Sequence, residues 1–145
     1  MMERNTGLQE VVISSFQEMP RFNLEDWIYN EIEAILFLSE YIGGETAIHI
    51  PGDYNGRQVV IPSLSIFPIN MTDLFIEEVN GKKLKTIKNF FFSVFEGNKN
   101  IITLDLRGLD TSQVTNMSRM FSNSQVKEVD VSKWDTSQVT NMKGM

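Results

Sequence analysis

One phrase is written twice in this chain, in register, and it limits the fold more than any other feature. LDLRGLDTSQVTNMSRM at residues 104–120 returns as VDVSKWDTSQVTNMKGM at residues 129–145, 25 residues later. Asp110 to Met117 and Asp135 to Met142 are identical, and Asp105/Asp130 and Met120/Met145 match. Leu104/Val129, Leu106/Val131 and Leu109/Trp134 keep apolar character. Self-similarity at a fixed period of this size is the signature of a solenoid, in which each unit is covered by its neighbours.

Each copy reads as one physical unit. Leu104 and Leu106 alternate with Thr103, Asp105 and Arg107, and Val129 and Val131 with Glu128, Asp130 and Ser132. A period of two marks a half-buried strand. Asp110-Thr111-Ser112 follows, with side-chain oxygens suited to accept backbone N–H groups at a corner. Val114, Met117, Met120 and Phe121 then fit one face of a short helix, and equally a short extended piece followed by a helical turn. One unit holds too little apolar surface to close a core, so the units must stack, with strands about 4.8 Å apart in a parallel ladder.

That register sets Asp105 over Asp130 and Asp110 over Asp135, like charges that need donors close by. Turn N–H groups are expected to serve Asp110 and Asp135. Solvent, with Arg107 and Lys133 beside them, is expected to serve Asp105 and Asp130. Asn116 and Asn141 are expected to form an amide ladder that satisfies turn backbone at each level. Residues 88–103 read as a worn first repeat. Phe95 stands before Leu104 as Phe121 stands before Val129, and Phe90-Phe91-Phe92 falls in the place of Asn116-Met117-Ser118. The interval from Phe121 to Val129 is one residue shorter than that from Phe95 to Leu104.

Upstream the pattern changes. Residues 1–25 carry a helical pattern over Leu8 to Met19 that Pro20 ends. Residues 26–87 read as an antiparallel β cap, and residues 88–145 as the array. Within the cap, Trp27 and Tyr29 alternate, and Ala34 to Ile42 is an apolar strand. Gly43-Gly44 offers a tight turn into Ala47 to Ile50, and Asn55-Gly56 a hairpin into Val59 to Ile61. Asn80-Gly81 links Phe75 to Val79 with Leu84 to Ile87. The fold class expected is α+β and β-rich, with parallel solenoid rungs capped by an N-terminal antiparallel β-meander.

Composition bounds the function. There are 13 Lys and Arg against 19 Asp and Glu, a net charge of −6, and the whole excess falls in the first hundred residues. A nucleic-acid partner is therefore disfavoured, since phosphate neutralisation needs a basic face. With no cysteine, disulfides, thiolate metal sites and thiol catalysis are excluded. No signal-peptide pattern opens the chain, and the most apolar run, Ala34 to Leu38, is far too short to span a bilayer. The sequence stops at Met145, before the Phe that Phe121 leads one to expect, and reads as a fragment. Val129, Val131, Val139, Met142 and Met145 would line the open side of its last rung and drive end-to-end self-association.

Few residues carry chemistry. His49 is the single histidine and has no clustered ligands around it in the sequence, so neither a metal nor a catalytic role is expected. Lys82, Lys83, Lys85 and Lys88 read as a solvated, edge-protecting face rather than an anion site. The Asp-Thr-Ser triplets lack the spacing of calcium loops. Trp134 reads as a packing residue at a corner, with an exposed anchor as its competitor. No nucleophile–base pair or phosphate loop is visible, and no cofactor or enzymatic activity is expected. The candidate ligand-binding surface is the polar row Thr103, Asp105, Arg107, Glu128, Asp130 and Ser132, which reads equally well as a solvated strand face.

LDLxxxDTSxVTNMxxMF resembles the repeat of the BspA-like leucine-rich-repeat bacterial surface proteins across residues 101–145, and IPGDYNGRQV at Ile50 to Val59 is similar to the segment that often precedes such arrays. At the position where the family has a small residue or cysteine after the Met-Phe pair, this chain has Ser124 or a deletion. The resemblance implies a leucine-rich-repeat-like solenoid in a secreted, cell-surface or cell-wall protein that binds or adheres to a protein or glycan on a host or neighbouring cell. It supplies no catalytic residues. A second reading is a carbohydrate-binding module with the repeats as a stalk, which would need Trp27, Tyr29, Tyr41 and Tyr54 exposed in one groove.

Overall fold

Among the described residues the alternating segments become nine strands, β1 (Trp27–Ile32), β2 (Ile35–Tyr41), β3 (Ala47–Pro51), β4 (Asp53–Tyr54), β5 (Arg57–Ile61), β6 (Asp73–Glu77), β7 (Lys85–Thr86), β8 (Thr103–Asp105) and β9 (Glu128–Asp130). The computed structural model describes residues 19–145. The helical pattern over Leu8 to Met19 lies, except for Met19, outside the described residues. Among those described, the helical element is a single 3-10 turn, Leu24–Asp26.

The strands form two sheets. One runs β3-β6-β8-β9 and is parallel throughout. The other runs β1-β2-β5-β4, with β7 also beside β5. In the first sheet Leu104 lies beside Val129 and Asp105 beside Asp130. The N–H of Leu106 then donates to the carbonyl of Asp130 at 3.0 Å, carrying the ladder one step further. The molecule is thus β-rich, with parallel solenoid rungs and antiparallel strands in its N-terminal region, the class that the repeat implies. One continuous core takes Leu36, Leu38, Val59 and Ile61 from one sheet and Ile48, Ile50, Leu74 and Leu104 from the other. Burying each such side chain is worth about 1.5–3 kcal/mol.

The two kinds of pairing meet earlier in the chain than the turn dipeptides suggest. Among the described residues, antiparallel pairing is confined to the β1–β2 hairpin, the short β4–β5 pair at Asn55-Gly56 and a single bridge, Val79 to Lys82, around Asn80-Gly81. β2 and β3 do not form the hairpin expected at Gly43-Gly44: the chain crosses there from one sheet to the other, and β3 pairs in parallel with β6. Gly43 is small because Tyr41 needs the space. A Cβ on it would collide with the Tyr41 hydroxyl, which accepts the N–H of Glu45 at 3.1 Å. The parallel ladder therefore takes in Ala47–Pro51 and Asp73–Glu77, both upstream of residue 88.

The Val114 to Phe121 segment adopts the extended alternative, not the helical one. Single-residue bridges join Phe90 to Asn116 and Asn116 to Asn141, and turns follow. Residues 88–103 are a worn repeat in structure as well. The N–H of Phe91 donates to Asn116 O at 2.7 Å and that of Phe95 to Met120 O at 3.0 Å. The rings of Phe95 and Phe121 stack with centroids 5.9 Å apart.

The missing residue between Phe121 and Val129 is absorbed at one corner. In the longer rung the Asn98 carboxamide oxygen accepts two N–H groups, from Asn100 and Ile101. In the shorter rung the Ser124 hydroxyl accepts one, from Val126. Corners throughout the array close in this way, a side-chain oxygen accepting the N–H two residues on. Asp110 accepts from Ser112, Asn116 from Ser118, Asp130 from Ser132, Asp135 from Ser137 and Asn141 from Lys143, all at 2.8–3.0 Å. Where rungs touch most closely there is no room for a side chain: a Cβ on Gly108 would strike the backbone of Ile76 and Glu77.

Candidate functional site

Alternation along the parallel sheet turns Leu74, Leu104 and Val129 inward and leaves the residues between them outside. Register then lines up Asp73, Thr103 and Glu128 in one row, and His49, Phe75, Asp105 and Asp130 in the next. Thr103, Leu104, Asp105, Arg107, Lys127, Glu128, Val129 and Asp130, with Phe75 below and Met19 at one side, enclose a groove of about 560 Å³. Five of the six residues in the candidate row line it. Ser132 does not: it lies past the end of β9, exposed, with its N–H on the carboxylate of Asp130 at 3.0 Å.

Arg107 governs the electrostatics of this face. Its guanidinium holds Asp105 through Nε at 2.9 Å and Nη2 at 2.7 Å, and its Nε lies 3.4 Å from Asp130. The two stacked carboxylates thus share one cation across the rungs, more than the solvent and neighbouring charges expected for them. Hydrogen bonding and charge from Asp105 push the Arg107 pKa further up. Hydrogen bonds from Ser132, with the charges of Arg107 and Lys133, hold the Asp130 carboxyl below its ordinary range. The face is left polar and acidic, with Phe75 as an apolar floor. Glu77 lies on it too, bonded to Nε2 of His49 at 3.0 Å.

The remaining candidates resolve into structural roles. Trp134 packs against Phe91, with centroids 6.3 Å apart, and donates Nε1–H to Leu106 O at 2.8 Å. Three of the four lysines in the basic cluster are engaged: Lys82 with Asp53 at 2.8 Å, Lys83 with Lys133 O at 2.9 Å and Lys85 with Asp110 at 3.5 Å. Asp53 is buried and also accepts from Asn80 at 2.9 Å and Gly56 at 3.3 Å. The lysine cluster reads as a solvated, edge-protecting face, and nothing local in the sequence pairs Lys82 with Asp53, 29 residues away.

The four aromatics of the carbohydrate reading are not brought into one groove. Trp27 is buried against Tyr41, Tyr54 packs on Phe22, and Tyr29 stands apart on β1. Among the described residues no three His, Asp or Glu side chains converge as a metal set would, and no helix is long and apolar enough to cross a membrane.

Neither a curated protein nor a solved structure matches the chain. Its lineage comes from a family match that takes in β6 through β9, the strands that build the groove and the rungs beneath it. Residues 69–145, just over half of the chain, match the family described as "Mycoplasma protein of unknown function, DUF285", and the chain belongs to that family.

Proposed function

We propose that this chain is a non-catalytic, extracellular interaction or adhesion module of a bacterial surface protein, and that it holds a protein or glycan of a neighbouring cell on the outer face of its parallel sheet. The observation that carries the reading is the groove of about 560 Å³ shared by the two copies of the repeat. Of its lining residues Asp105/Asp130 and Leu104/Val129 recur with the repeat, while Thr103 is answered by Glu128 and Arg107 by Ser132, so successive rungs offer the same carboxylate with different polar neighbours on the strand face that solenoids use for partners. The resemblance of the repeat to BspA-like leucine-rich-repeat proteins supports the cell-surface location.

The test is binding of the labelled chain to intact cells, with Thr103→Trp and Asp130→Arg as groove variants and Lys88→Ala as a control. Thr103 and Asp130 lie on the outer face, so both variants alter the groove without entering the core. A loss of at least tenfold in apparent affinity for the groove variants alone is expected. Equal binding by all four proteins would overturn the reading. Surface labelling of intact against lysed producing cells checks the location independently.

A further inference from the structure

Among the described strands, β1 has the most exposed residues, five of its six. Of its six residues only Trp27 is buried, and Ile28, Tyr29 and Ile32 are 48%, 44% and 56% exposed. Among the described residues it pairs with β2 on one side and ends the sheet, and none of them pairs with its other edge. Sheet edges are usually blunted by lysine, proline, a bulge or short length. β1 has neither Lys nor Pro, and its one charge, Glu31, is tied to Arg57 at 2.9 Å. The bulge in this hairpin falls on β2. Ile28 pairs with Glu40 and Tyr29 with Leu38, so Ser39 is the extra residue and β1 itself stays regular.

Reversed, the strand is its own complement. Laid antiparallel on a second copy about a two-fold axis at Asn30, Ile28 meets Ile32 of the other copy and Tyr29 meets Glu31. No like charges face each other. Ile28, Asn30 and Ile32 share one face of the strand, so two isoleucine pairs flank the axis there, widened by Ile35, which is 44% exposed beside Ile32. On the opposite face a phenol meets a carboxylate at each end. The backbone agrees with this register. A two-residue turn at Glu33 and Ala34 makes Ile32–Ile35 a hydrogen-bonded pair, and alternation makes Asn30–Phe37 another. The N–H and C=O groups of Tyr29 and Glu31 therefore point off the edge away from β2, where the second copy presents the same two residues.

We propose that β1 is a homotypic docking edge: two copies of this chain pair antiparallel through Ile28–Ile32, centred on Asn30, in one sheet continuous across the dimer. Asn30 and its counterpart form the non-hydrogen-bonded pair at the centre. Their Cα atoms lie about 4.5 Å apart in such a pair, within disulfide reach.

Because the chain has no cysteine, a single introduced thiol reports the contact. Asn30→Cys is expected to give a disulfide-linked dimer under mild oxidation, and Lys88→Cys, exposed on another part of the molecule, at most a tenth as much. Ile32→Lys, at an exposed position, is expected to raise the dimer dissociation constant at least tenfold by sedimentation equilibrium, with an unchanged circular dichroism spectrum. A monomeric mass for the unaltered chain up to millimolar concentration would overturn the proposal. So would association that survives Ile32→Lys while Asn30→Cys cross-links no better than the control, which would place the contact elsewhere, such as the open side of β9.

Discussion

At the scale of single residues, the array is held by short polar side chains that complete its corners. Asn116 shows the device most fully. Its carboxamide oxygen accepts the N–H of Ser118 at 2.8 Å and its hydroxyl at 2.7 Å, in a rung covered on both sides. Asn141 does the same for Lys143 at 3.0 Å in the exposed last rung. Removing an acceptor costs most where water cannot replace it. Asn116→Ala is expected to destabilise the fold by about 1–3 kcal/mol, and Asn141→Ala by less than about 0.5 kcal/mol, both read from urea denaturation. Equal losses would mean that the corner bond, not its burial, sets the effect. These roles were legible beforehand, because a side chain that bonds two residues along the chain needs no knowledge of the rest of the fold. Arg107 was legible as a neighbour of the stacked aspartates but not as their shared cation, since that geometry exists only once two rungs are stacked.

At the scale of elements, the worn repeat is the informative case. Phe90, Phe91 and Phe92 are chemically identical, yet Phe91 is 1% exposed while Phe90 and Phe92 are 53% and 50% exposed. Stacking on Asn116 and Met117 decides which ring points inward. Phe91→Ala is expected to cost about 3–5 kcal/mol, and Phe90→Ala to stay within about 0.5 kcal/mol. Comparable losses from the two would show that the register of residues 88–103 on the next rung is wrong. The Asn-Gly pairs announced their turns reliably, since Asn55, Gly56, Asn80 and Gly81 all take positive φ. Gly43-Gly44 did not, because two glycines permit a crossover as readily as a hairpin.

At the scale of the whole molecule, acid should loosen the fold. Asp53, Asp110, Asp130 and Asp135 all have carboxyl pKa values below the ordinary 3.8. For Asp53 the cause is first the hydrogen bond from Lys82, then that from Asn80. For Asp110 burial pushes upward, but hydrogen bonds from Ser112 and the Lys85 charge outweigh it. Asp130 and Asp135 are lowered by hydrogen bonds from Ser132 and Ser137. Below the ordinary value the unfolded chain binds protons that the folded chain resists, so stability falls with pH. The contribution is fully present well above 3.8 and is lost as pH drops through the depressed values of the folded state. The urea midpoint is expected to be nearly level from pH 7 to pH 5 and clearly lower at pH 3. A midpoint equal at pH 5 and pH 3 would contradict the assignment.

The sequence by itself determined the parallel stacking of the two copies, the inward and outward sides of β8 and β9, the corner chemistry and the worn first rung. All of these follow from a period and from bonds reaching two residues along the chain. Tertiary structure alone decided that β3 leaves β2 for β6, that Leu36 and Leu38 join the buried core, and that Lys82 answers Asp53. Local propensity is the same for a strand whichever partner it takes. The choice is made by which apolar faces can be covered together, a sum over contacts far apart in the chain. The groove belongs to both levels: its aspartates and the apolar positions beside them repeat in the sequence, but its walls exist only where one rung lies on another.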